Sequence, residues 1–292
     1  MPDSRPVAVL LGLASAITYG TADFIGGLVT RRNPATRVAF IGKSAGLVLY
    51  LCAIPLIGAE VSAAAWAWGL PAGVSGAIGI AFLYHGLAHG RMSVVAPISA
   101  VVSGIMPVLF GLAVGERPAP LQMVGVAVAI LAVALVSAVP EPGPRTSLRE
   151  RLSRSGVPEA LLSGLGLGGF LILITRAGDD TGAWVLVAAQ VGQIALLGLL
   201  VGVSRTSVRP DPGTGKGIAT TGVLDGAGSI LYLLGTRLGL ISVVAVVTSL
   251  YPAATVLLAR VFLQDRLSRS QVIGLALALV GVIMLTAGGL SA

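Results

Sequence analysis

Ten stretches of apolar sequence, each about the length of a membrane-spanning helix, make up most of this 292-residue chain. A helix needs about 20 predominantly apolar residues to cross the hydrocarbon of a bilayer. Charged and turn-forming residues separate the stretches, as in Arg31-Arg32-Asn33-Pro34. The pattern predicts an all-α integral membrane protein with ten transmembrane helices. The predicted spans are 7–29, 38–57, 66–88, 94–115, 121–139, 158–177, 183–203, 218–238, 243–263 and 271–288.

Composition excludes an ordinary soluble enzyme. Only 11% of residues are charged, whereas a soluble domain has about 25%. A soluble globular protein of 29.3 kDa would need more charged residues to cover its surface. The single cysteine, Cys52, excludes an internal disulfide and a cysteine-based metal cluster. The sequence pI of about 10.3 comes from cations that lie between apolar segments, where they report orientation and not nucleic-acid binding. We expect the first apolar segment to be a span and not a cleaved signal.

The positive charges are distributed unequally between the two sides of the membrane. Fifteen of the 19 lysines and arginines lie in or beside the loops that follow the odd-numbered spans. The longest of these loops, 140–157, holds four arginines. Because loops rich in Lys and Arg stay in the cytoplasm, we expect the odd-numbered loops inside, both termini outside, and a location in the cytoplasmic membrane.

The two halves of the chain repeat each other with an offset of 149 residues. Ser93-Val94-Val95-Ala96 recurs as Ser242-Val243-Val244-Ala245, and Glu116-Arg117 recurs as Asp265-Arg266. Five spans per half is an odd number, so the halves lie in opposite orientations, as in carriers that alternate between two states. The predicted units are a first five-helix repeat at 7–139, a charged linker at 140–157 and a second repeat at 158–288.

A third repeated motif, Gln-x-x-Gly in the fifth helix of each half, completes a family pattern. It occurs as Gln122–Gly125 and Gln271–Gly274, after the Ser-Val-Val-Ala and acid-Arg motifs. The order and duplication of these motifs resemble the ten-helix EamA-type branch of the drug/metabolite transporter superfamily. The pattern usually has a proline thirteen residues before the acid, and Pro252 occupies this position in the second half, whereas Ser103 replaces it in the first.

This resemblance implies secondary transport of a small solute, since relatives handle amino acids, sugars, nucleotides and cationic drugs. It also implies termini in the cytoplasm, which is opposite to the charge distribution of this chain. We base the predicted orientation on the charges.

Three ionisable residues are predicted at similar depth inside the membrane, where a charge costs roughly 2.5–3.5 kcal/mol on insertion scales. Asp23 and Lys43 are each ten residues from Asn33, and Asp225 lies about 10 Å below the same face at 1.5 Å per residue. One hypothesis is a substrate or proton site near the cytoplasmic mouth, in which Lys43 and a proton compete for Asp23. The alternative is a fixed Asp23–Lys43 ion pair that holds the first two helices together.

Several polar and aromatic residues complete the candidate site. Tyr19 lies one turn before Asp23 on the same face, and Gln190 and Gln193 lie one turn apart in the seventh span. The amides could contact substrate or bridge helices, and Tyr84, Tyr232 and Tyr251 could line a cavity or anchor at the interface. The candidate substrate- or proton-binding residues are Asp23, Lys43, Asp225, Tyr19, Gln190, Gln193, Tyr84 and Tyr232.

Other chemistries lack the residues they need. His85 and His89 share a helical face, but no third metal ligand accompanies them. The glycine-rich 213–217 segment resembles a phosphate loop, yet Pro210 occupies the position of its first glycine. Glu116-Arg117 and Asp265-Arg266 are expected to act mainly as turns and helix caps. We therefore expect no metal, no cofactor, no nucleic-acid partner and no ATP-driven transport.

The sequence thus favours a carrier of a small organic metabolite or drug that works by alternating access, with proton-coupled efflux as one form. We expect no enzyme activity, and a monomer or homodimer in the lipid bilayer. Two alternatives remain: a non-transporting membrane partner or scaffold, and an intramembrane enzyme using Asp23 and Asp225.

The predicted orientation is testable by cysteine labelling in intact cells, with Cys52 first replaced by alanine. A cysteine at Ser147 should resist a membrane-impermeant thiol reagent, because loop 140–157 is expected in the cytoplasm, whereas a cysteine at Ser62 should react. The reverse labelling pattern would overturn the orientation.

Overall fold

The computed structural model describes residues 4–57, 61–89, 92–137, 156–178, 181–264 and 266–290. Helices account for nearly all of these residues, and no strand occurs among them. The helices are α1 (Ser4–Thr30), α2 (Ala35–Ile57), α3 (Ala63–His89), α4 (Met92–Ala113), α5 (Pro120–Ser137), α6 (Val157–Thr175), α7 (Trp184–Val203), α8 (Gly215–Leu238), α9 (Ile241–Thr248), α10 (Tyr251–Phe262) and α11 (Arg269–Leu290).

The predicted all-α membrane fold is confirmed. Within the described residues, nine helical stretches are long and apolar enough to cross a membrane, and Ile98–Ala113 is a shorter apolar helix. The ninth predicted span consists of two helices, α9 and α10, which meet at Ser249 and Leu250. Pro252 lies in the first turn of α10, where its missing N–H costs no helical hydrogen bond.

The two repeats interleave. Helix α1 of the first half packs along α8 of the second, and the equivalent pair, α6 and α3, packs in the same way. Helix α2 contacts α7 and α8, and α5 lies along α11. Contacts between α1 and α2, or between α6 and α7, are few by comparison. Each half therefore buries its helices mainly against the other half.

The Gln-x-x-Gly motif has a clear structural role in both repeats. The side-chain oxygen of Gln122 accepts a hydrogen bond from the backbone N–H of Ala119, and Gln271 does the same for Ser268. Each glutamine thus satisfies one of the free N–H groups at the start of its helix. The glycines allow α5 and α11 to approach closely, since a Cβ on Gly125 would lie 3.0 Å from Leu285, and one on Gly274 would lie 2.8 Å from Val136.

The two ends of the bundle are called the odd face and the even face. The odd face carries the ends of α1 and α10 with residues 31–34, 204–214, 263–264 and 266–268, and the even face carries residues 114–119, 176–178, 181–183 and 239–240. The predicted linker 140–157 lies outside the described residues except for its last two positions. Asp265 and the side chain of Tyr84 also lie outside them.

Residues 149 positions apart, just after α4 and α10, share a left-handed backbone conformation. Gly115 has φ +97°, and its N–H and that of Glu116 bond to the carbonyls of Leu112 and Gly111, which is a Schellman motif. Gln264 is the equivalent residue after α10, and its φ is +56°. A residue with a side chain pays a cost in this left-handed conformation that glycine avoids.

Removing the glycine at position 115 and introducing one at position 264 should therefore have opposite effects on stability. We expect Gly115→Ala to lower the free energy of unfolding by about 1 kcal/mol, and Gln264→Gly to raise it by about 0.5 kcal/mol, because glycine relieves the strain but loses more backbone entropy on folding. Denaturant titration in mixed micelles, followed by circular dichroism, measures both. A loss of stability in Gln264→Gly would contradict the prediction.

Candidate functional site

An ion pair between α2 and α8 lies at the centre of the predicted site. The Lys43 ammonium donates a hydrogen bond of 2.6 Å to a carboxylate oxygen of Asp225. The Lys43 side chain is 11% exposed and that of Asp225 is 27% exposed, so the pair is shielded from bulk water. The fixed Asp23–Lys43 pair, one of the two sequence alternatives, is not what the structure contains, because Lys43 binds Asp225 instead.

Helix packing explains this choice of partner. Helices α1 and α2 make few contacts, so equal depth in the membrane does not bring Asp23 and Lys43 together. Helix α8 packs on both of them. Gly42 and Gly222 meet where α2 crosses α8, and a Cβ on Gly222 would collide with the backbone of Gly42. This close crossing brings Asp225, one turn further along α8, to Lys43.

Asp23 is the uncommitted acid of the site. Its side chain is exposed, and it forms no ion pair and accepts no hydrogen bond from the residues that the structure describes. It is nevertheless within electrostatic range of both Asp225 and Lys43, which face the interior of the bundle. The Asp23 carboxylate is therefore an accessible, uncommitted acid near the ion pair. Because Lys43 and Asp225 neutralise each other, the charge of this part of the bundle is that of Asp23.

Aromatic side chains surround these acids. The Tyr19 hydroxyl bonds to the Ser229 hydroxyl at 2.7 Å, and Tyr50 also lies against Ser229. The ring of Tyr19 meets that of Tyr251 edge to face, with 6.5 Å between the ring centroids. Tyr251 is in turn within electrostatic range of Asp23. Asp23 thus has Tyr251 on one side and the Lys43–Asp225 pair on the other.

Close contact between α1 and α10 positions this arrangement. A Cβ on Gly20 would lie 2.6 Å from the Cβ of Ala254, and the Thr255 hydroxyl donates a hydrogen bond of 3.0 Å to the Gly20 carbonyl. The first turn of α10 therefore rests against α1 between Tyr19 and Asp23. The break between α9 and α10 is what places Tyr251 there.

The two glutamines of α7 are both 2% exposed but make different contacts. The Gln190 amide donates a hydrogen bond of 2.6 Å to the backbone carbonyl of Lys43, so it bridges α7 and α2. The side-chain oxygen of Gln193 has no hydrogen-bond partner among the described residues. Its amide nitrogen faces Gly76 of α3, where a Cβ would lie 3.0 Å away. Contact of either amide with substrate stays a prediction.

The remaining candidates lie further from Asp23. Tyr232 is fully buried, and its hydroxyl donates a hydrogen bond of 3.2 Å to the Leu171 carbonyl, which ties α8 to α6. Tyr84 belongs to α3, and its side chain is outside the described residues. The structure therefore brings together Asp23, Lys43, Asp225, Tyr19 and Gln190, and it places Gln193 and Tyr232 in neighbouring parts of the core.

Burial differs between the two helices of the ninth span. All seven residues from Ser242 to Thr248 in α9, on the even-face side, are buried. Helix α10, which continues to the odd face, has no buried residue, and α1 has none after Ala22. Asp23 thus lies on the odd-face side of the bundle, where the ends of α1 and α10 are poorly buried.

Sequence reasoning missed Tyr50, Ser229 and a polar cluster at the odd face. Arg37 donates to the Ser207 carbonyl at 2.6 Å, and it forms an ion pair of 3.2 Å with Asp211. The side-chain oxygen of Asn33 accepts from both Arg37 and the backbone of Asp211. These contacts fasten the start of α2 to the loop before α8. The clue in the sequence was an asparagine, an arginine and an aspartate in two short loops on one side.

Comparisons with known proteins agree with this architecture. The model of the EamA-like transporter family matches the chain twice, at residues 6–138 and 154–287. An uncharacterized protein of Methanocaldococcus jannaschii is 29% identical over 133 residues, which are 44% of this chain and 96% of that protein. That relative is therefore about as long as one repeat. A solved crystal structure shares the fold with a TM-score of 0.80 over 96% of each chain, at 18% identity.

The Lys43–Asp225 pair generates a stability prediction. Lys43→Met or Asp225→Asn removes one partner and leaves the other charge shielded and uncompensated, so each should lower the free energy of unfolding by about 2 kcal/mol. The double variant should recover more than half of the summed loss. Asp23→Asn is the matched control and should change stability by less than about 0.5 kcal/mol, because Asp23 has no ion-pair partner. If the loss in the double variant equals the sum of the two single losses, the Lys43–Asp225 interaction contributes nothing to the free energy of unfolding.

Proposed function

The chain belongs to the EamA-like transporter family, and from this premise we propose that it is a secondary transporter of a small organic metabolite or drug. In this proposal the solute crosses the cytoplasmic membrane by alternating access. The observation that carries the proposal is Asp23 itself, an accessible and uncommitted carboxylate near an internally neutralised ion pair. A scaffold has no use for an unpaired charge at this depth, since each such charge is costly in a membrane.

The electrostatics of the site support a particular kind of solute. Lys43 and Asp225 cancel each other, so Asp23 gives this part of the bundle one net negative charge. The Tyr19 and Tyr251 rings beside it offer aromatic surface to a cation. An amine or a zwitterion with an exposed ammonium group fits both features. A proton fits Asp23 equally well, which makes this carboxylate the place where solute and proton compete.

This competition provides the coupling step. When the solute ammonium binds Asp23, the proton leaves, and when the proton returns, the solute is released. The Lys43–Asp225 ion pair stays intact in this scheme. The two unlike charges keep α2 and α8 together while the surroundings of Asp23 change. The scheme yields proton-coupled efflux if the odd face is cytoplasmic.

The poorly buried ends of α1 and α10 support a state in which Asp23 is open to the odd face. The inverse arrangement, open at the even face, follows from the inverted repeat by exchange of the roles of the two halves. In the intact cell the positive charges favour a cytoplasmic odd face.

The coupling role of Asp23 can be tested in proteoliposomes with a panel of primary amines, zwitterionic amino acids and quaternary ammonium compounds. The wild-type chain should accumulate at least one member of the panel against its gradient when a pH gradient is imposed. Asp23→Asn cannot lose a proton, so it should retain solute-for-solute exchange but lose accumulation driven by the pH gradient. Glu159→Asn, on α6 and away from Asp23, is the matched control and should keep both.

Two results would count against the proposal. Gradient-driven accumulation that persists in Asp23→Asn removes this residue from the coupling step. The absence of saturable flux for every class in the panel, with protein that remains folded, would favour a non-transporting role.

A further inference from the structure

A carboxylate of the first repeat caps a helix of the second repeat at the even face. One oxygen of Glu116 accepts a hydrogen bond of 2.6 Å from the N–H of Ile241. The other oxygen accepts from the N–H of Ser242 at 3.0 Å and from its hydroxyl at 2.6 Å. Ile241 is the first residue of α9, so these are N–H groups that have no partner within the helix. The negative charge also meets the positive end of the helix dipole.

The end of α4 is shaped to present this carboxylate. The Schellman turn at Gly115 directs the backbone of Glu116 back over α4, with the Glu116 N–H bonded to the Gly111 carbonyl at 2.9 Å. Gly111 leaves room for the side chain, because a Cβ there would lie 2.8 Å from the Glu116 carboxyl carbon. The same Cβ would lie 3.3 Å from that of Ser242. Two glycines thus place Glu116 against α9.

This cap differs from an ordinary one in where it comes from. A helix is usually capped by the residue just before it, but Leu240 supplies no side-chain cap to α9. The cap is instead 125 residues away, on the other repeat. If α4 and α9 separate at the even face, α9 loses its cap and Glu116 loses its three donors. Contact between the repeats and the capping of α9 are therefore one interaction.

We propose that Glu116 is a latch that holds the even face closed, and that its release from Ile241 and Ser242 accompanies every opening of that face. The inference rests on the proposed function, since only a carrier needs this face to open. A latch at this position agrees with the burial of Ser242–Thr248 in α9, which Glu116 contacts, whereas α10 has no buried residue.

The latch can be tested by the accessibility of a buried cysteine, without any substrate. In a Cys52→Ala background, Val247→Cys places the reporter in α9, where Val247 is fully buried and lies against Gly12 of α1. Leu197→Cys in α7 is the control reporter; Leu197 is 1% exposed and packs in a cluster with Ala39 and Ala77 that includes no residue of α9. The measurement is the rate of reaction with a small charged methanethiosulfonate reagent, on protein in lipid nanodiscs.

Glu116→Gln removes the charge, and charge-assisted hydrogen bonds are roughly twice as strong as neutral ones, so we expect reaction at Val247→Cys to become about tenfold faster. Gly111→Ala should act in the same direction, because it displaces the carboxylate without changing it chemically. Glu116→Asp keeps the charge on a shorter side chain, so its reaction rate at Val247→Cys should lie between the rates with Glu116 and with Glu116→Gln. Glu159→Gln, a carboxylate on α6 at the opposite face, should leave the rate unchanged. None of these changes should alter the rate at Leu197→Cys.

Two patterns would overturn the latch. An unchanged rate at Val247→Cys in both Glu116→Gln and Gly111→Ala shows that the contact does not hold the face closed. An equal rise at both reporters shows that Glu116 only stabilises the fold. If the latch behaves as expected but proteoliposomes show no flux, the proposed function fails and the latch stands. If proteoliposomes show flux but the labelling rate at Val247→Cys is unchanged, the proposed function stands and the latch fails.

Discussion

Close contact between the two repeats is the constraint on which the rest of this structure depends. Lipid offers helices no hydrophobic drive to associate, so they must pack by approach of their backbones and by a few polar contacts. Glycines permit this approach where α2 crosses α8 at Gly42 and Gly222, and where α3 crosses α6 at Gly79 and Gly166. Each crossing joins one half of the chain to the other. Neither half encloses the site alone, because Lys43 and Asp225 come from different halves.

The polar contacts within the bundle divide into fixed and uncommitted groups. Lys43 is held by Asp225 through its ammonium and by Gln190 through its backbone carbonyl, so α2, α7 and α8 are fastened at one level. Asp23 is at the same level but belongs to α1, which faces the poorly buried α10. Asp23 thus lies outside the group of helices that the contacts of Lys43 hold together, which leaves its carboxylate available to a solute or a proton.

Much of the fold could be predicted because it depends on local properties of the sequence. Hydropathy and breakers located the spans, and the offset of 149 residues revealed the inverted repeat. The site was predicted only in part, because hydropathy does not say which helices are neighbours. Equal depth suggested Asp23 as the partner of Lys43, yet α8 separates α1 from α2 and supplies Asp225. The acid-Arg motif was interpreted as a turn and a helix cap, but the helix that Glu116 caps was not predicted, because nothing near Glu116 in the sequence points to Ser242.

The repeat is not perfect, and its departures bear on the transport cycle. Two identical halves would give mirror-related states of equal free energy. Here Pro252 and the break before it occur only in the second half, whereas Ser103 lies within a continuous α4. Gly111, which makes room for the Glu116 carboxylate, corresponds to Arg260. The two glycines that position Glu116, Gly111 and Gly115, are thus replaced by Arg260 and Gln264 at the end of α10. These sequence differences make the two halves unequal, so the inward-open and outward-open states of a carrier built from them differ in free energy.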